Sequence, residues 1–324
     1  MQNFNFFLEA PTSTIQESIP RTEKELLLYD KIACSISGGS DSDTMLDFIC
    51  RIGFLEKVQF YFFDTGIEME ATKKHLSFLE QKYKIKINRI KPSKGVAYTV
   101  KKYGYPFLSK QVSEYIGRLQ RHGFQWEDEP LDRLLQKYPK CKVALRWWCN
   151  DWGENSKFNI DSTPYLKEFL MQNPPKFLIS PICCKYSKKD PAKKFRKENN
   201  IELTLIGIRK AEGGVRSTAY KTCISDGSHG RQHFPLFWWK SHDKTVYDAK
   251  YDVVHSDAYT VYGCKRTGCA GCPFGSNFES EIEMLKEHEP KLALAIENIF
   301  GPSYEYTRQY REFKKQKEKK VEDD

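Results

Sequence analysis

Six consecutive residues, Ser37-Gly38-Gly39-Ser40-Asp41-Ser42, have the make-up of an anion cradle. Glycines let the backbone come close to a phosphate, and the hydroxyls of Ser37, Ser40 and Ser42 add donors. An ordinary strand-to-helix turn is the plainer alternative. The loop lacks a Gly-Lys-Ser/Thr ending, which disfavours a kinase or GTPase. Further along, Gly207 to Arg216 sets Arg209 and Arg216 around the pair Gly213-Gly214. Guanidinium forks match phosphate or sulfate oxygens in two-pronged fashion; solvated surface arginines are the alternative. Six of the ten cysteines fall between Cys183 and Cys272. Cys183-Cys184 is a tandem pair, and Cys269-Ala270-Gly271-Cys272 is a two-residue-gap pair followed by Pro273. Adjacent cysteines seldom ligate one zinc, but each can bind a different iron of a cubane. Four such thiolates suit an iron–sulfur cluster or a structural zinc. Cys223 and Cys264 are possible substitutes for one ligand. Cys34 and Cys50 lie in apolar contexts and read as core, while Cys141 and Cys149 have no partner that the sequence identifies.

These groups need a scaffold. Lys31 to Ile36 is an apolar β-branched run before the glycines. Met45, Leu46, Ile49 and Ile52 after them follow a helical period, so the order is strand, tight loop, helix. Such a junction aims unpaired N–H groups and the positive helix end at one point. A second strand, Val58 to Phe63, ends at Asp64-Thr65-Gly66; a helix from about Glu68 to Lys82 and a strand over Ile85 to Ile90 follow. A further strand is expected over Ile201 to Ile208. This alternation predicts an α/β, doubly wound, mostly parallel sheet of five to six strands, with ligands beyond the carboxyl ends of the strands. Asp64 reads as a nucleotide-side group or, equally, as a helix cap or turn carboxylate. The regular pattern stops over about 94–175, where a helical insertion is expected. It contains a helical stretch from Ser109 to His122 and the aromatic group Arg146 to Trp152, whose tryptophans read as a hydrophobic cap. Arg118, Arg121 and His122 are candidates to face a polyanion. The expected division is a lead-in over 1–30, a nucleotide-binding domain over 31–275 with its insertion, and a C-terminal helix and charged tail over 276–324.

With 324 residues, 40% of them hydrophobic, the chain can bury a large core. No run is long enough to cross a bilayer and no secretory leader is visible, so a cytoplasmic setting is expected. There, ten cysteines point to metal or redox duty rather than to disulfides. Net charge is +9, much of the excess lying in runs such as Lys185 to Lys197 and Lys314 to Lys320. Basic runs are solvated faces or anion-binding surfaces, and nucleic acid is one option.

The six-residue loop resembles the SGGxDS pyrophosphate loop of the N-type ATP pyrophosphatases (the PP-loop, adenine nucleotide alpha-hydrolase-like superfamily), which include the PAPS/APS reductases. Asp64-Thr65-Gly66 is similar to the Asp-Thr-Gly that family carries beside the nucleotide, and Gly207-Ile208-Arg209 with Arg216 is similar to its sulfonucleotide grip. The tandem-then-CxxC order resembles the [4Fe-4S] site of the cluster-bearing members. The resemblance implies an adenine nucleotide held by residues 37–42, 64–66 and Arg209, with Asp41, Arg209 and Arg216 as the catalytic set. It also implies a [4Fe-4S] cluster on Cys183, Cys184, Cys269 and Cys272.

One feature departs from the pattern. The reductases carry a nucleophilic cysteine in a C-terminal Glu-Cys-Gly-Leu-His-like tail, whereas no cysteine follows Cys272 here. Three functions follow as expectations. The first is activation of ATP, with Mg²⁺, by α–β cleavage, coupled to sulfur transfer from a sulfur donor onto an acceptor such as nucleic acid. The second is thiol-dependent reduction of PAPS or APS, using Cys223, Cys264 or a thioredoxin-like partner. The third is a non-catalytic nucleotide- and cluster-binding subunit.

Overall fold

The structure, a computed structural model, describes residues 2–213, 219–227 and 230–323. By compactness the chain divides into two units, Met1–Ser93 with Ser187–Ala270, and Lys94–Tyr186 with Gly271–Asp324.

The first unit is α/β. Six strands, β1 (Ile32–Ser35), β2 (Val58–Phe63), β3 (Ile87–Ile90), β4 (Leu203–Ile206), β5 (Ile224–Gly227) and β6 (Gly230–His233), form one sheet in the order β3-β2-β1-β4-β6-β5. All neighbours run parallel except the edge hairpin of β5 and β6. Alternation along the strands decides the two faces. Ile32, Cys34, Phe60, Phe62, Ile87, Leu203 and Leu205 share one core with Ile15, Ile19, Leu46, Ile49, Leu76, Leu79 and Tyr247. Tyr61, on the opposite face, stacks on Phe195 of the helix Asp190–Glu198, ring centroids 5.0 Å apart. Helices therefore cover both faces. The strand order reverses between β1 and β4, so the loops leaving these strands part company at one rim. That is the crevice where an open α/β sheet takes its ligand.

Several elements differ from the sequence expectation. The lead-in over 1–30 carries two helices, Gln2–Leu8 and Ser13–Leu28, the second starting where the Thr12 hydroxyl accepts from the Ile15 N–H at 3.3 Å. Pro20 inside it obscures an otherwise regular row of Ile15, Ile19, Thr22 and Leu26. Strands β3 and β4 are shorter than the apolar runs that announce them; at their flanks the Ile85 N–H donates to the Glu80 carbonyl at 3.3 Å and the Ile208 N–H to the Ile206 carbonyl at 2.9 Å, outside the ladders. The helix after β2 begins at Glu70 and ends at Tyr83.

The second unit is helical. Its core gathers Phe107, Trp147, Trp148, Phe169, Tyr306 and Tyr310, with Trp148 wholly buried. The Trp148 indole N–H donates to the Glu127 carbonyl at 2.9 Å, so its one polar atom is satisfied inside the core. Trp147 and Trp148 are thus packing residues. Its last helix, Pro290–Asp323, continues through the lysine-rich tail. Among the described residues no helix is long and apolar enough to cross a membrane. Trp148→Ala is expected to cost about 3–5 kcal/mol of unfolding free energy, measured by urea titration.

Candidate functional site

The Ser37–Ser42 loop is closed by its own last hydroxyl. Ser42 Oγ accepts from the N–H groups of Ser37 and Gly39, each at 3.2 Å, and donates to the Gly39 carbonyl at 2.8 Å. Ser42 is buried and spends its hydrogen bonds inside the loop, so it shapes the cradle instead of lining it with a free donor. Gly38 has φ +67°, and a Cβ there would come 2.6 Å from Thr72 Cγ2. Only glycine meets both conditions. The helix Ser40–Ile52 then starts from Gly39, whose carbonyl accepts from the Ser42 and Asp43 N–H groups at 2.8 and 3.1 Å, and its positive end lies at the loop.

The loop after β4 meets this helix end closely. A Cβ on Gly207 would lie 3.0 Å from the Asp41 carbonyl oxygen and 3.3 Å from Ser42 Cα. That approach lets Arg209 reach over, and its Nε donates to Asp41 Oδ2 at 2.9 Å. The pair is mostly buried, 12% and 15% exposed. Asp41 Oδ1 and Arg209 Nη1 are both buried without a hydrogen-bond partner among the described residues. Buried charged groups left half-satisfied in this way call for a further polar partner.

Both side chains line a cavity of about 560 Å³ with Ser37, Gly39, Ser40 and Ser42. Lys188, Lys265 and Arg266 add cationic charge to its walls, and Glu68 and Glu212 add carboxylates. Burial pushes the Glu68 carboxyl up; the Lys188 charge and hydrogen bonds from Thr65 oppose the shift. Tyr259 and Thr267 are hydroxyl neighbours 3.1 Å apart in the same wall. Lys265, Arg266, Thr267 and Tyr259 escaped the sequence reading. Their signal is the flanking Gly263 and Gly268, which make 263–268 a loop beside the second cysteine pair.

Asp64-Thr65-Gly66 behaves differently from the loop. Asp64 Oδ1 accepts the Gly66 N–H at 3.1 Å and so fixes its own turn. The Thr65 hydroxyl donates to Glu68 Oε1 at 2.6 Å and accepts from Cys269 Sγ at 3.6 Å. The Ala270 N–H donates to the Ile67 carbonyl at 2.9 Å. Cys269 thus sits against the turn after β2, next in sequence to Thr267 and Gly268 of the cavity wall.

Cys183, Cys184 and Cys272 belong to the helical unit. Gly271, at φ +59°, turns the chain between the CxxC sulfurs, and a Cβ there would strike Ile296 Cδ1 at 2.2 Å. Among the described residues no group of three or more His, Cys, Asp or Glu side chains is set to hold a metal ion. Cys34 is fully buried and its thiol is pushed well up by burial, as is that of Cys50, to about 12. Both are inert core thiols. Cys223 packs against the small apolar group of Ile208, Phe234 and Phe237, and the Cys264 N–H donates to the Ala258 carbonyl at 2.8 Å. Arg216 lies outside the described residues.

Beneath the loop is a second charged group that the sequence reading missed. Asp43 is wholly buried. Its Oδ2 lies 3.1 Å from His255 Nδ1, and 3.0 Å from His75 Nε2, which is off the hydrogen-bond line. His255 Nε2 is 3.2 Å from Asp248 Oδ2, which also takes the Lys244 ammonium, and the Thr44 hydroxyl donates to Asp248 Oδ1 at 2.7 Å. With a carboxylate at each ring nitrogen, His255 donates from both and is an imidazolium. Burial alone would lower its pKa, but the hydrogen bonds to Asp248 and Asp43 raise it from 6.5 to about 9. These residues come from 43–44, 75 and 244–255, too far apart in sequence to read as one group.

Residues 31–143 match the model of the phosphoadenosine phosphosulfate reductase domain. An uncharacterised protein of Methanocaldococcus jannaschii is 25% identical over 281 residues, 84% of this chain and 42% of that protein. The chain thus spans less than half the length of the curated relative it matches. Among solved structures, phosphoadenylyl-sulfate reductase from Candida auris, in a phosphate complex, aligns at TM-score 0.44 and 13% identity, over 82% of this chain and 93% of that one. The U34-tRNA thiolase of Methanococcus maripaludis with its [4Fe-4S] cluster aligns at TM-score 0.36 and 13% identity, over 93% of this chain and 79% of that one.

The His255 network gives a test of how the loop is held. A histidine whose folded pKa is raised contributes stability fully present below pH 6.5 and lost as pH rises through about 9. Discounted for partial exposure, the effect is roughly 2 kcal/mol. Wild-type unfolding free energy is expected to fall over that window. His255→Gln should be less stable at pH 6 and should lose most of the slope, as read from urea midpoints in a pH series.

Proposed function

We propose that this chain is an adenine-nucleotide-activating enzyme that splits ATP at its α–β linkage and couples the activation to sulfur transfer. One observation carries the reading: Arg209 and Asp41 form a buried ion pair at the sheet's switch point, each with one unsatisfied atom, in the wall of a cavity cradled by the Ser37–Ser42 loop. Arg209 Nη1, with Lys188, Lys265 and Arg266, would stabilise charge developing on a departing pyrophosphate. Asp41 and Glu68 stand among these cations. Carboxylates there suit a triphosphate carrying Mg²⁺, which is typically held through one or two carboxylates plus phosphate oxygens. A bare sulfonucleotide would gain nothing from them.

The donor chemistry of Cys183, Cys184, Cys269 and Cys272 fits a thiolate-ligated [4Fe-4S] cluster: all ten cysteines are outside disulfides, and Gly271 keeps the CxxC turn compact. These four residues would hold it, and when bound it would supply electrons or a labile sulfur. Zinc on the same thiolates is the competing assignment. The match of residues 31–143 to the reductase domain favours a second reading, thiol-dependent reduction of PAPS or APS, with Cys223, Cys264 or a thioredoxin-like protein as the thiol.

The two readings separate on product. Pyrophosphate and AMP release from ATP-Mg²⁺ is expected, with Arg209→Ala and Asp41→Ala each lowering turnover by about 10²–10³-fold. Sulfite release from PAPS with thioredoxin, and none of pyrophosphate from ATP, would instead establish the second. For the cluster, anaerobically purified protein is expected to contain iron and acid-labile sulfide, with Cys183→Ser and Cys272→Ser losing both. Stoichiometric zinc without iron would assign the thiolates to zinc.

A further inference from the structure

The helical unit carries a surface that the nucleotide reading does not use. Three tyrosines lie side by side on it. Tyr98 is 50% exposed and its ring meets Tyr103 edge-on at 6.4 Å, while Tyr103 lies tilted against Tyr186 at 5.4 Å. Lysines are threaded between them. Lys94 sits 4.9 Å over Tyr103 and 4.4 Å over Tyr186, Lys102 sits 5.3 Å over Tyr98, and Lys185 sits 5.6 Å over Tyr186. The Lys94 ammonium also donates to the Tyr103 hydroxyl at 2.6 Å, and that of Lys102 to the Tyr98 hydroxyl at 2.8 Å.

The charge of this surface has no internal counterpart. The segment 91–113 holds Lys91, Lys94, Lys101, Lys102 and Lys110 and contains no Asp or Glu, and neither does 176–189, which holds Lys185. Among the described residues, none of Lys94, Lys101, Lys102 and Lys185 is within ion-pair distance of a carboxylate. Elsewhere in this unit, Lys137 pairs with Glu127 and Glu129, and Lys167 with Asp128. Tyr98 and Tyr103 belong to the helix Val96–Tyr103, and Tyr186 to the π-helical segment Lys185–Lys189 that continues directly from Ile182–Cys184, which packs on Val96–Tyr103. The surface therefore adjoins the tandem cysteines within one unit.

We infer that the Tyr98–Tyr103–Tyr186 surface, with Lys94, Lys102 and Lys185, docks single-stranded nucleic acid. Phosphates supply the missing countercharge, and unpaired bases stack on the rings, the pairing of features that single-strand sites use. A duplex hides its base faces and would need the lysines alone, and so would an acidic protein. The inference extends the acceptor side of the proposed function, but the surface is argued from its own residues and is tested without ATP.

The test uses the whole chain and a fluorescein-labelled strand of about twelve uridines, read by anisotropy between about 50 and 200 mM salt. Wild type is expected to bind. Tyr98→Ala with Tyr103→Ala should weaken binding about tenfold or more, with the salt slope kept. Tyr98→Phe with Tyr103→Phe should bind as wild type, which separates stacking from misfolding. Lys94→Gln with Lys102→Gln should lower the salt slope by roughly 1.4. Asp41→Ala should bind the strand as wild type, so a failure of the ATP reading leaves this assay standing. Absence of binding by wild type would overturn the proposal, as would equal binding by the tyrosine-to-alanine variant. Competition by a duplex of the same length or by polyglutamate as strong as by the strand would overturn it too, and would assign the surface to a generic polyanion or an acidic protein.

Discussion

The contact between Arg209 and Asp41 is the constraint on which the sheet unit's rim depends. It joins the loop after β4 to the first turn of the helix after β1, the two paths that diverge where the strand order reverses. Burying such a pair is expensive, because desolvation offsets most of the attraction. Here the geometry uses one oxygen and one nitrogen and leaves Asp41 Oδ1 and Arg209 Nη1 without a partner among the described residues. A pair built only for stability would be bidentate or would be replaced by apolar packing. An incomplete pair inside a polar cavity is organised around something that completes it, and an anion beside a cation would do so at both ends.

That arrangement makes demands further down. Gly207 must be glycine for the β4 loop to lie against the Asp41 backbone, and Gly38 must be glycine for the cradle to clear Thr72. Ser42 gives up its hydroxyl to hold the loop's shape. Underneath, Asp43 takes the His255 imidazolium, and Asp248 with Lys244 extends the network to the helix Ser241–Tyr251. A carboxylate in the first turn of a helix favours that end electrostatically. Placed at zero exposure, it needs its cation, and His255 supplies it. The rim is therefore rigid because charge is neutralised in layers beneath the surface that meets the ligand.

Much of this was legible in the sequence, and the part that was not has a physical reason. The β1 and β2 runs, the glycine loop and the placement of Asp41 and Arg209 at one rim follow from period-two burial and from glycine's backbone freedom, which are local properties. The hydrogen bonds of Ser42 within its loop and of Asp64 within its own turn could not be read in advance, because residue type alone does not say whether a hydroxyl or carboxylate faces a ligand or its own turn. Asp43, His75 and His255 were invisible as a group, since 212 residues separate Asp43 from His255 and only the fold brings them together. Lys265 and Arg266 were hidden by neighbouring cysteines that drew the chemical reading elsewhere. Pro20 concealed a helix that tertiary packing of Ile15, Ile19 and Leu26 sustains.

Net charge illustrates the same gap between composition and surface. The run Lys314 to Lys320 looks strongly basic, yet Lys314 pairs with Glu318, Lys317 with Glu168 and, just before it, Arg311 with Glu279. These carboxylates offset part of the run's charge. Residues 91–113 attract less notice as a charge run because their lysines are spaced, but the segment contains no Asp or Glu. Charge without nearby carboxylates, interleaved with aromatic rings, carries more recognition than a run part of whose charge is already ion-paired.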